Sequence, residues 1–241
     1  MTALVAVAHG SRDPRSAATV HALLDVVRAV RPDLDVRASF LDLSAPRLGD
    51  VLHAVHGDGH ASAVVVPLLL GQAYHARVDV PGAVAEARLA ALDVTIADVL
   101  GPDDRLEDAA LRRLGAVVDL DDPGLGVVVA GAGSSHAPAN AAVAAVARRW
   151  ASTRPWAGAE AAFASTASPD VPTAIARLRV RGAERIAVAS WFLAPGLLPD
   201  RVADLAAGAA VAAPLGADAA VASLILSRYA EALGDVVALP A

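Results

Sequence analysis

Cysteine and lysine are both missing from the 241 residues of this chain. Without cysteine there is no disulfide, no thiolate metal site, no iron–sulfur cluster and no cysteine nucleophile. Without lysine there is no P-loop lysine and no Schiff-base lysine, and all 20 basic residues are arginine. A metal ion bound by this protein must therefore be held by His, Asp or Glu side chains.

Aromatic residues make up only 3% of the chain, and acidic residues outnumber basic ones, which gives a formal net charge of −6. The acidic balance leaves no basic field for a nucleic acid or an anionic membrane surface. No apolar run approaches the roughly 18 residues of a membrane span. The chain enters a strand-like run directly after Met1, without a charged leader, which predicts a cytoplasmic protein with neither nucleic acid nor membrane as partner.

Apolar runs of strand length alternate with stretches of helical periodicity in the first half of the chain. The runs are continuous and rich in Val and Leu, as in strands that are buried on both faces. They lie at 3–8, 34–41, 61–70 and 94–100. The pattern predicts an α/β fold with a mainly parallel sheet flanked by helices.

The two halves of the chain align at a constant offset of 123 residues over about the first seventy positions. Gly10-Ser11 matches Gly133-Ser134 in this way, and so do several less common residues. These are Arg31-Pro32 with Arg154-Pro155, Phe40 with Phe163, Pro46 with Pro169, and Gly59 with Gly182. The repeat predicts two similar domains, 1–122 and 123–241, facing each other across a cleft. Because the second copy is in the same chain, a monomer is expected rather than a homo-oligomer.

Three polar residues follow successive predicted strands at their carboxyl ends. His9 and Asp42 come directly after a strand, and His75 lies on the loop after the third. Carboxyl ends of parallel strands meet at one edge of a sheet, so these side chains can converge. Two histidines and one carboxylate suit an open site for Fe²⁺, Co²⁺ or a related ion. The alternative is three polar loop residues that cap helices or are simply solvated.

The repeat supplies an internal comparison for these candidates. At the offset of 123, His9 corresponds to Ala132, Asp42 to Ser165 and His75 to Leu198. A residue that the fold requires should tend to survive in both copies, whereas a residue of one active site need survive in only one. The comparison predicts a single site, in the first half.

The stretches that carry these residues resemble a known family. They are LVAVAHGSRDP at 4–14, FLDLSAP at 40–46 and VPLLLGQAYHARVDVP at 66–81. They are similar to the class II chelatases of the sirohydrochlorin chelatase (CbiX/SirB) family, whose long members are tandem repeats. The resemblance implies that His9 and His75 handle the metal, and that Asp42 stands where many members have Glu. It also implies ATP-independent insertion of Fe²⁺ or Co²⁺ into sirohydrochlorin or a close precorrin, for siroheme or cobalamin, with no permanently bound cofactor.

Sirohydrochlorin, the tetrapyrrole implied by the resemblance, is rimmed with carboxylates, which need cations or N–H donors. Arg12 and Arg77 are the best-placed cations beside the candidate histidines, although both could equally be solvated arginines at helix starts. The turns at Gly10-Ser11 and Ser134-Ser135 open helices and could direct backbone N–H groups at a carboxylate. These six residues, Gly10, Ser11, Arg12, Arg77, Ser134 and Ser135, are the predicted substrate-binding set.

Several alternatives stay open at this point. His53, His56 and His60 could hold a delivery metal, or could simply suit the end of a helix, where the dipole favours a cation. Asp42 could orient a histidine, accept a proton or offset the charge of the metal. Neither Fe²⁺ nor Co²⁺ is preferred by the residue types. The rival function is a non-catalytic carrier of metal or tetrapyrrole.

Overall fold

The computed structural model describes residues 2–71 and 78–234. The chain forms two compact units, one built from residues 1–101 together with 216–241, the other from residues 102–215. Each unit is an α/β domain with a four-stranded parallel sheet. The predicted fold class of two similar, mainly parallel domains is confirmed.

The first unit has the sheet order β2-β1-β3-β4, with β1 in the interior. Its strands are β1 (Ala3–Ala8), β2 (Val36–Phe40), β3 (Ser62–Pro67) and β4 (Asp93–Ile96). Its helices are α1 (Pro14–Val30), α2 (Leu48–Gly57), α3 (Val80–Glu86) and α8 (Ala219–Ala232). The predicted strands are present, and β1 has the predicted bounds, but β3 and β4 end earlier than their apolar runs because residues 68–70 and 97–100 belong to the loops.

The apolar pattern explains the layers of this unit. All six residues of β1 are buried, as expected for a strand covered on both faces. Helix α1 begins at the N-cap Asp13, whose side chain accepts from the Arg15 N–H, and continues through Pro14. It buries one stripe at helical spacing, namely Val20, Leu23, Leu24 and Val27. Helices α2 and α3 share a second core on β1 and β3.

The second unit repeats the arrangement with the sheet order β6-β5-β7-β8. Its strands are β5 (Leu125–Gly131), β6 (Gly158–Phe163), β7 (Arg185–Ser190) and β8 (Ala210–Val211). Its helices are α4 (Asp104–Gly115), α5 (Ala137–Thr153), α6 (Val171–Val180) and α7 (Leu197–Leu205). Leu4 pairs with Val36 in the first sheet, and Val127 pairs with Ala159 in the second. The pairing of the strands and the amino-acid sequence therefore repeat at the same offset of 123 residues.

The fourth helix of each half belongs to the unit formed mainly by the other half. Helix α4 follows β4 but packs on β7, whereas α8 follows β8 but packs on α1 and β3. The predicted division at 122/123 separates the sequence repeats, but it is wrong as the boundary of the compact units. The physical reason is that this boundary would leave each sheet without the helix that covers one of its faces.

The exchanged helices reveal a second offset, of 115 residues. Arg113 of α4 donates to the Leu215 carbonyl (3.0 Å), and Arg228 of α8 donates to the Leu100 carbonyl (3.3 Å). The N-caps Asp103 and Asp218 are related by the same spacing. The second copy is therefore eight residues shorter between its third and fourth strands.

Within the described ranges, no helix combines the length and the hydropathy that crossing a membrane requires.

Candidate functional site

His9 and Asp42 lie together at the carboxyl ends of β1 and β2. The two strands are parallel neighbours, so the chain leaves both at the same edge of the sheet. The Leu41 N–H donates to the Ala8 carbonyl (2.9 Å), and the Asp42 N–H donates to the His9 carbonyl (2.9 Å). Hydrogen bonding between the strands thus continues one step into the loops, which places an exposed imidazole beside an exposed carboxylate.

Gly10 makes this close approach of the two loops possible. Its φ is +95°, and a Cβ atom at this position would lie 1.7 Å from the Asp42 carbonyl oxygen. Any other residue would be strained by the backbone conformation and would also overlap the neighbouring loop. The glycine in the His9-Gly10-Ser11 sequence is therefore explained by packing within the protein.

Asp42 is an ionised carboxylate in an exposed position. The Leu43 N–H donates to its Oδ1 (2.8 Å), and this bond is the main cause that lowers the pKa of Asp42 below its ordinary value. The Arg47 guanidinium, 3.0 Å from Oδ1, and the nearby His9 lower the pKa of Asp42 further. With its side chain 56% exposed, Asp42 presents negative charge to solvent at the edge where His9 lies.

Ser11 and Ser44 form a second connection between the same two loops. The Ser11 N–H donates to Ser44 Oγ (3.0 Å), and Ser44 Oγ donates to the Ser11 carbonyl (2.8 Å). Ser44 is absent from the predicted site residues. The repeat contains the signal that would have identified it, because its counterpart at the offset of 123 is Ala167.

Two of the predicted substrate-binding amides are already used inside the protein. The Ser11 N–H is bonded to Ser44, and the Ser134 N–H donates to Asn140 Oδ1 (2.9 Å). Neither N–H group is therefore open to a substrate carboxylate in this structure, and substrate binding by these two turns stays a prediction. Arg12, by contrast, is exposed and has no hydrogen bond or ion pair with any other described residue. Ser135 is exposed on the second turn.

His75 and Arg77 fall outside the described residues, which stop at 71 and resume at 78. Their segment leaves β3, which lies next to β1 on the side opposite β2. The third predicted member of the metal site is therefore on the neighbouring strand connection, and its side-chain position stays a prediction.

The second unit has the same loop backbone without the candidate side chains. The Ser165 N–H donates to the Ala132 carbonyl (3.0 Å), as Asp42 does to His9 in the first unit. Gly133 has φ +84°, and a Cβ there would lie 1.9 Å from the Ser165 carbonyl oxygen. Since this backbone forms with alanine at 132, the fold does not require the imidazole of His9.

The predicted counterpart of His75 needs a correction. The offset of 123 that relates it to Leu198 holds through β7, but the eight-residue shortening lies between β7 and β8. Leu198 is therefore not fixed as the equivalent position. The sequence 190–210 contains no histidine, so the second copy lacks this residue wherever the shortening falls.

His53, His56 and His60 lie away from this edge. His60 Nε2 is 2.9 Å from Asp35 Oδ2, and both residues precede their strands, at the amino end of the sheet. His53 Nδ1 is bonded to the Gly49 carbonyl (2.8 Å), and His56 is exposed. Among residues 2–71 and 78–234, no three His, Asp or Glu side chains are placed to hold a metal ion.

A groove of about 530 Å³ in the second unit contains none of the predicted site residues. It lies between α5 and the edge strand β6, and six of its fourteen lining residues are alanines, including Ala144 and Ala151. In the first unit the corresponding positions carry His21, whose ring packs edge-on against Phe40, and Arg28, which donates to a β2 carbonyl. The groove thus results from the smaller side chains of the second copy.

Known proteins match this chain along nearly its whole length. A sirohydrochlorin cobaltochelatase from Priestia megaterium is 24% identical over 217 residues, 85% of this chain and 68% of that protein. A sirohydrochlorin ferrochelatase from the same organism is 30% identical over 141 residues, 56% of this chain and 52% of that protein. SirB from Bacillus subtilis with Fe³⁺ has the same fold, with a TM-score of 0.81 at 23% identity over 96% of each chain.

The CbiX family model matches twice, at residues 3–117 and at residues 126–232. The two matches coincide with the two copies of the repeat. The chain belongs to the CbiX family.

Proposed function

We propose that this protein catalyses the insertion of a divalent metal ion, Fe²⁺ or Co²⁺, into sirohydrochlorin or a closely related precorrin. The observation that carries the proposal is the pairing of His9 with Asp42 on a loop backbone that the second unit repeats without either side chain. These side chains are not needed for the fold, so a chemical role explains why the first copy has them.

The relatives support sirohydrochlorin as the substrate, but they do not decide between Fe²⁺ and Co²⁺ as the metal. One relative is named a cobaltochelatase and the other a ferrochelatase, both of sirohydrochlorin. Imidazole and carboxylate ligands bind both ions, so the ligand types do not separate them. We therefore propose sirohydrochlorin as the acceptor, and either ion as the metal.

The chemistry requires two protons to leave as the metal enters. The free macrocycle carries two pyrrole N–H groups, and the product binds one M²⁺ in their place, so each turnover releases two H⁺. A neutral imidazole suits both metal binding and proton removal, because its lone pair can bind the ion weakly or accept a proton near neutral pH. We assign these tasks to His9 and His75.

Asp42 supplies the negative charge of the site in this proposal. The Leu43 N–H holds its pKa low, so it stays ionised at neutral pH and is poorly suited to accept a pyrrole proton. An exposed carboxylate beside His9 can instead offset the charge of the incoming ion and stabilise the imidazolium that forms after proton transfer. We assign this electrostatic role to Asp42.

Recognition of the carboxylate rim is assigned to the arginines. Arg12 follows the His9-Gly10-Ser11 turn and has no partner within the described ranges, so its guanidinium is available to a substrate carboxylate. Arg77 has the same proposed role. The Ser11 hydroxyl accepts from the Asp13 N–H (3.0 Å) and can still donate its own proton. Contributions from Ser134 and Ser135 stay predictions.

The reaction is proposed to need no ATP, and one chain is proposed to be sufficient. The sequence contains no lysine, so it has no phosphate-binding loop of the P-loop type. Each unit receives its fourth helix from the other half of the same chain, so the helix exchange closes within a monomer.

A multiple-turnover assay separates this enzyme from the alternative, a stoichiometric carrier on the same fold. Purified protein is incubated anaerobically with excess sirohydrochlorin and Fe²⁺, or Co²⁺, and the visible spectrum is followed against a protein-free control. We expect metallated product well beyond one equivalent per chain, with at least one of the two metals. Product that stops at one equivalent with both metals would identify a carrier.

A further inference from the structure

The loop after β2 holds the turn after β1 at two places. The first is the bond from the Asp42 N–H to the His9 carbonyl, and the second is the pair of bonds between Ser44 Oγ and the backbone of Ser11. Both lie within three residues of the candidate metal-binding side chains. The Ser44 side chain is half-buried between the two loops.

The second unit satisfies the same backbone groups in another way. Residue 134 corresponds to Ser11, and its N–H and carbonyl are bonded by the side-chain amide of Asn140, at 2.9 and 2.7 Å. Asn140 belongs to α5, the helix that this turn itself opens, and the position of Ser44 is occupied by Ala167. Both copies therefore satisfy these two groups, but only the first does so by bonding across to the neighbouring loop.

The difference has a mechanical consequence for His9. The bonds from the Leu41 and Asp42 N–H groups attach only the first residues of the loop after β2, and in the second unit the added bond from Ser165 Oγ ends on the same Ala132 carbonyl. The Ser44 bonds to Ser11 lie two residues further along each loop, so they restrain the turn beyond that point and fix the direction in which the His9 side chain leaves the backbone relative to Asp42. Metal ligands must be held within a few tenths of an ångström, and groups behind the ligands commonly provide that restraint.

We propose that Ser44 is a positioning residue that orients His9 relative to Asp42 for the divalent metal ion. This inference rests on the proposed function, because it takes His9 as a ligand of the substrate metal. In this role Ser44 contacts neither the metal nor the macrocycle. Its hydroxyl acts through the Ser11 backbone, which belongs to the same turn as His9.

The test is a Co²⁺ titration without tetrapyrrole, at one fixed pH, followed by the visible absorption of the bound ion. The variants are Ser44→Ala, Ser44→Thr, Asn140→Ala and His9→Ala. Asn140→Ala is the matched control, because it removes the two equivalent hydrogen bonds in the second unit, where Ala132 and Ser165 replace His9 and Asp42. Urea unfolding of each variant measures the loss of stability separately.

We expect Ser44→Ala to weaken Co²⁺ binding by about tenfold and to change the absorption spectrum of the bound ion. Ser44→Thr keeps the hydroxyl and should restore both. Asn140→Ala should lower the free energy of unfolding by about as much as Ser44→Ala, with an unchanged Co²⁺ affinity. Ala167 shows that alanine is compatible with this loop backbone, so Ser44→Ala should fold.

A double variant shows whether Ser44 acts through His9. In the His9→Ala background, adding Ser44→Ala should cause no further loss of Co²⁺ affinity, since the ligand that it positions is already gone. The same tenfold loss in both backgrounds would overturn the inference. So would an unchanged affinity in Ser44→Ala, or an equal loss in Asn140→Ala.

These results also separate the inference from the proposed function. If His9→Ala bound Co²⁺ as the unaltered protein does, the metal site itself would be wrongly assigned. If His9→Ala lost binding while Ser44→Ala did not, only the role of Ser44 would be wrong.

Discussion

At the scale of single residues, the two copies separate side chains that the fold needs from side chains that it does not. Gly10 and Gly133 both adopt positive φ and both lie against a carbonyl of the neighbouring loop. His9 and Ala132 occupy the same backbone position with the same hydrogen bond. The glycines are therefore structural, and the histidine is available for chemistry.

The first prediction at this scale concerns Gly10. Gly10→Ala would place a Cβ 1.7 Å from the Asp42 carbonyl oxygen in a left-handed conformation. We expect the free energy of unfolding in urea to fall by about 2 kcal/mol or more. Gly49→Ala is the control, since nothing lies within 4 Å of its Cβ position, and it should be neutral or slightly stabilising. Equal effects in the two variants would contradict the packing explanation.

The second prediction concerns pH. Insertion should fall on the acid side with a midpoint at or above about pH 6.5, because an ordinary histidine protonates there and Asp42 favours the charged form of His9, which can neither bind metal nor accept a proton. Titration of Asp42 does not contribute to this fall, because the Leu43 N–H lowers its pKa below the ordinary value and the carboxylate is already ionised over this range. The acid limb of the rate profile therefore reports the histidines.

The variant Asp42→Asn tests the electrostatic role that we assign to Asp42. A carboxylate beside His9 favours the imidazolium, so its removal should lower the pKa of His9 and move the acid limb to lower pH. Asp33→Asn, which removes the partner of Arg31 instead, should leave the limb in place. A limb that moved upward in Asp42→Asn would contradict the assigned role.

At the scale of the elements, hydrophobic patterning predicts the strands but not the partners of the helices. Continuous Val and Leu runs identify parallel strands that are buried on both faces, and β1 is such a strand. An amphipathic helix such as α4 shows only that one of its faces is buried. Which sheet it covers depends on tertiary contacts between residues far apart in the chain.

Those contacts differ between the two exchanged helices. Glu107 of α4 is buried and pairs with the Arg149 guanidinium and with Trp150 Nε1 (3.0 Å), both on α5. The equivalent residue of α8, at the offset of 115, is the buried Ala222. Buried polar pairs of this kind favour one docking arrangement over another, because a mismatched helix would leave a charge unpaired.

The third prediction follows from this pairing. Glu107→Ala leaves the buried Trp150 N–H and the Arg149 guanidinium without their acceptor, so we expect a loss of about 2 kcal/mol in the free energy of unfolding. The control is Glu231→Ala in α8, which removes an ion pair whose carboxylate is 53% exposed. Its loss should be within about 0.5 kcal/mol. A Glu107→Ala protein as stable as the control variant would show that the buried pair does not hold α4 in place.

At the scale of the whole molecule, the sequence repeat predicts two similar domains and the location of one site, but not the boundaries of the compact units. Alignment compares positions along the chain, so a helix exchanged between the halves leaves no trace in it. The sequence alone could have identified Ser44 as a candidate, because Ala167 replaces it in the second copy. Its bonds to Ser11 could not be predicted, because they depend on how the two loops pack together. The position of the His75 side chain follows neither from the sequence nor from the residues that the structure describes.

The fourth prediction tests the exchange directly. A chain that ends at Leu215 lacks α8, whose Val221, Leu224 and Ile225 are fully buried in the first unit. Limited proteolysis should then cleave readily within residues 2–101 and leave residues 102–215 as resistant as in the full chain. Cleavage confined to residues 123–215 would instead support the division at 122/123.

The most direct test of the central claim is the rate of metal insertion by His9→Ala under multiple-turnover conditions. The claim is that the first unit carries the chemistry, on a turn whose backbone does not depend on the histidine. We expect the rate to fall by at least about a hundredfold, with the free energy of unfolding unchanged, as Ala132 in the same backbone position predicts. Near-normal insertion by a folded His9→Ala protein would contradict the account.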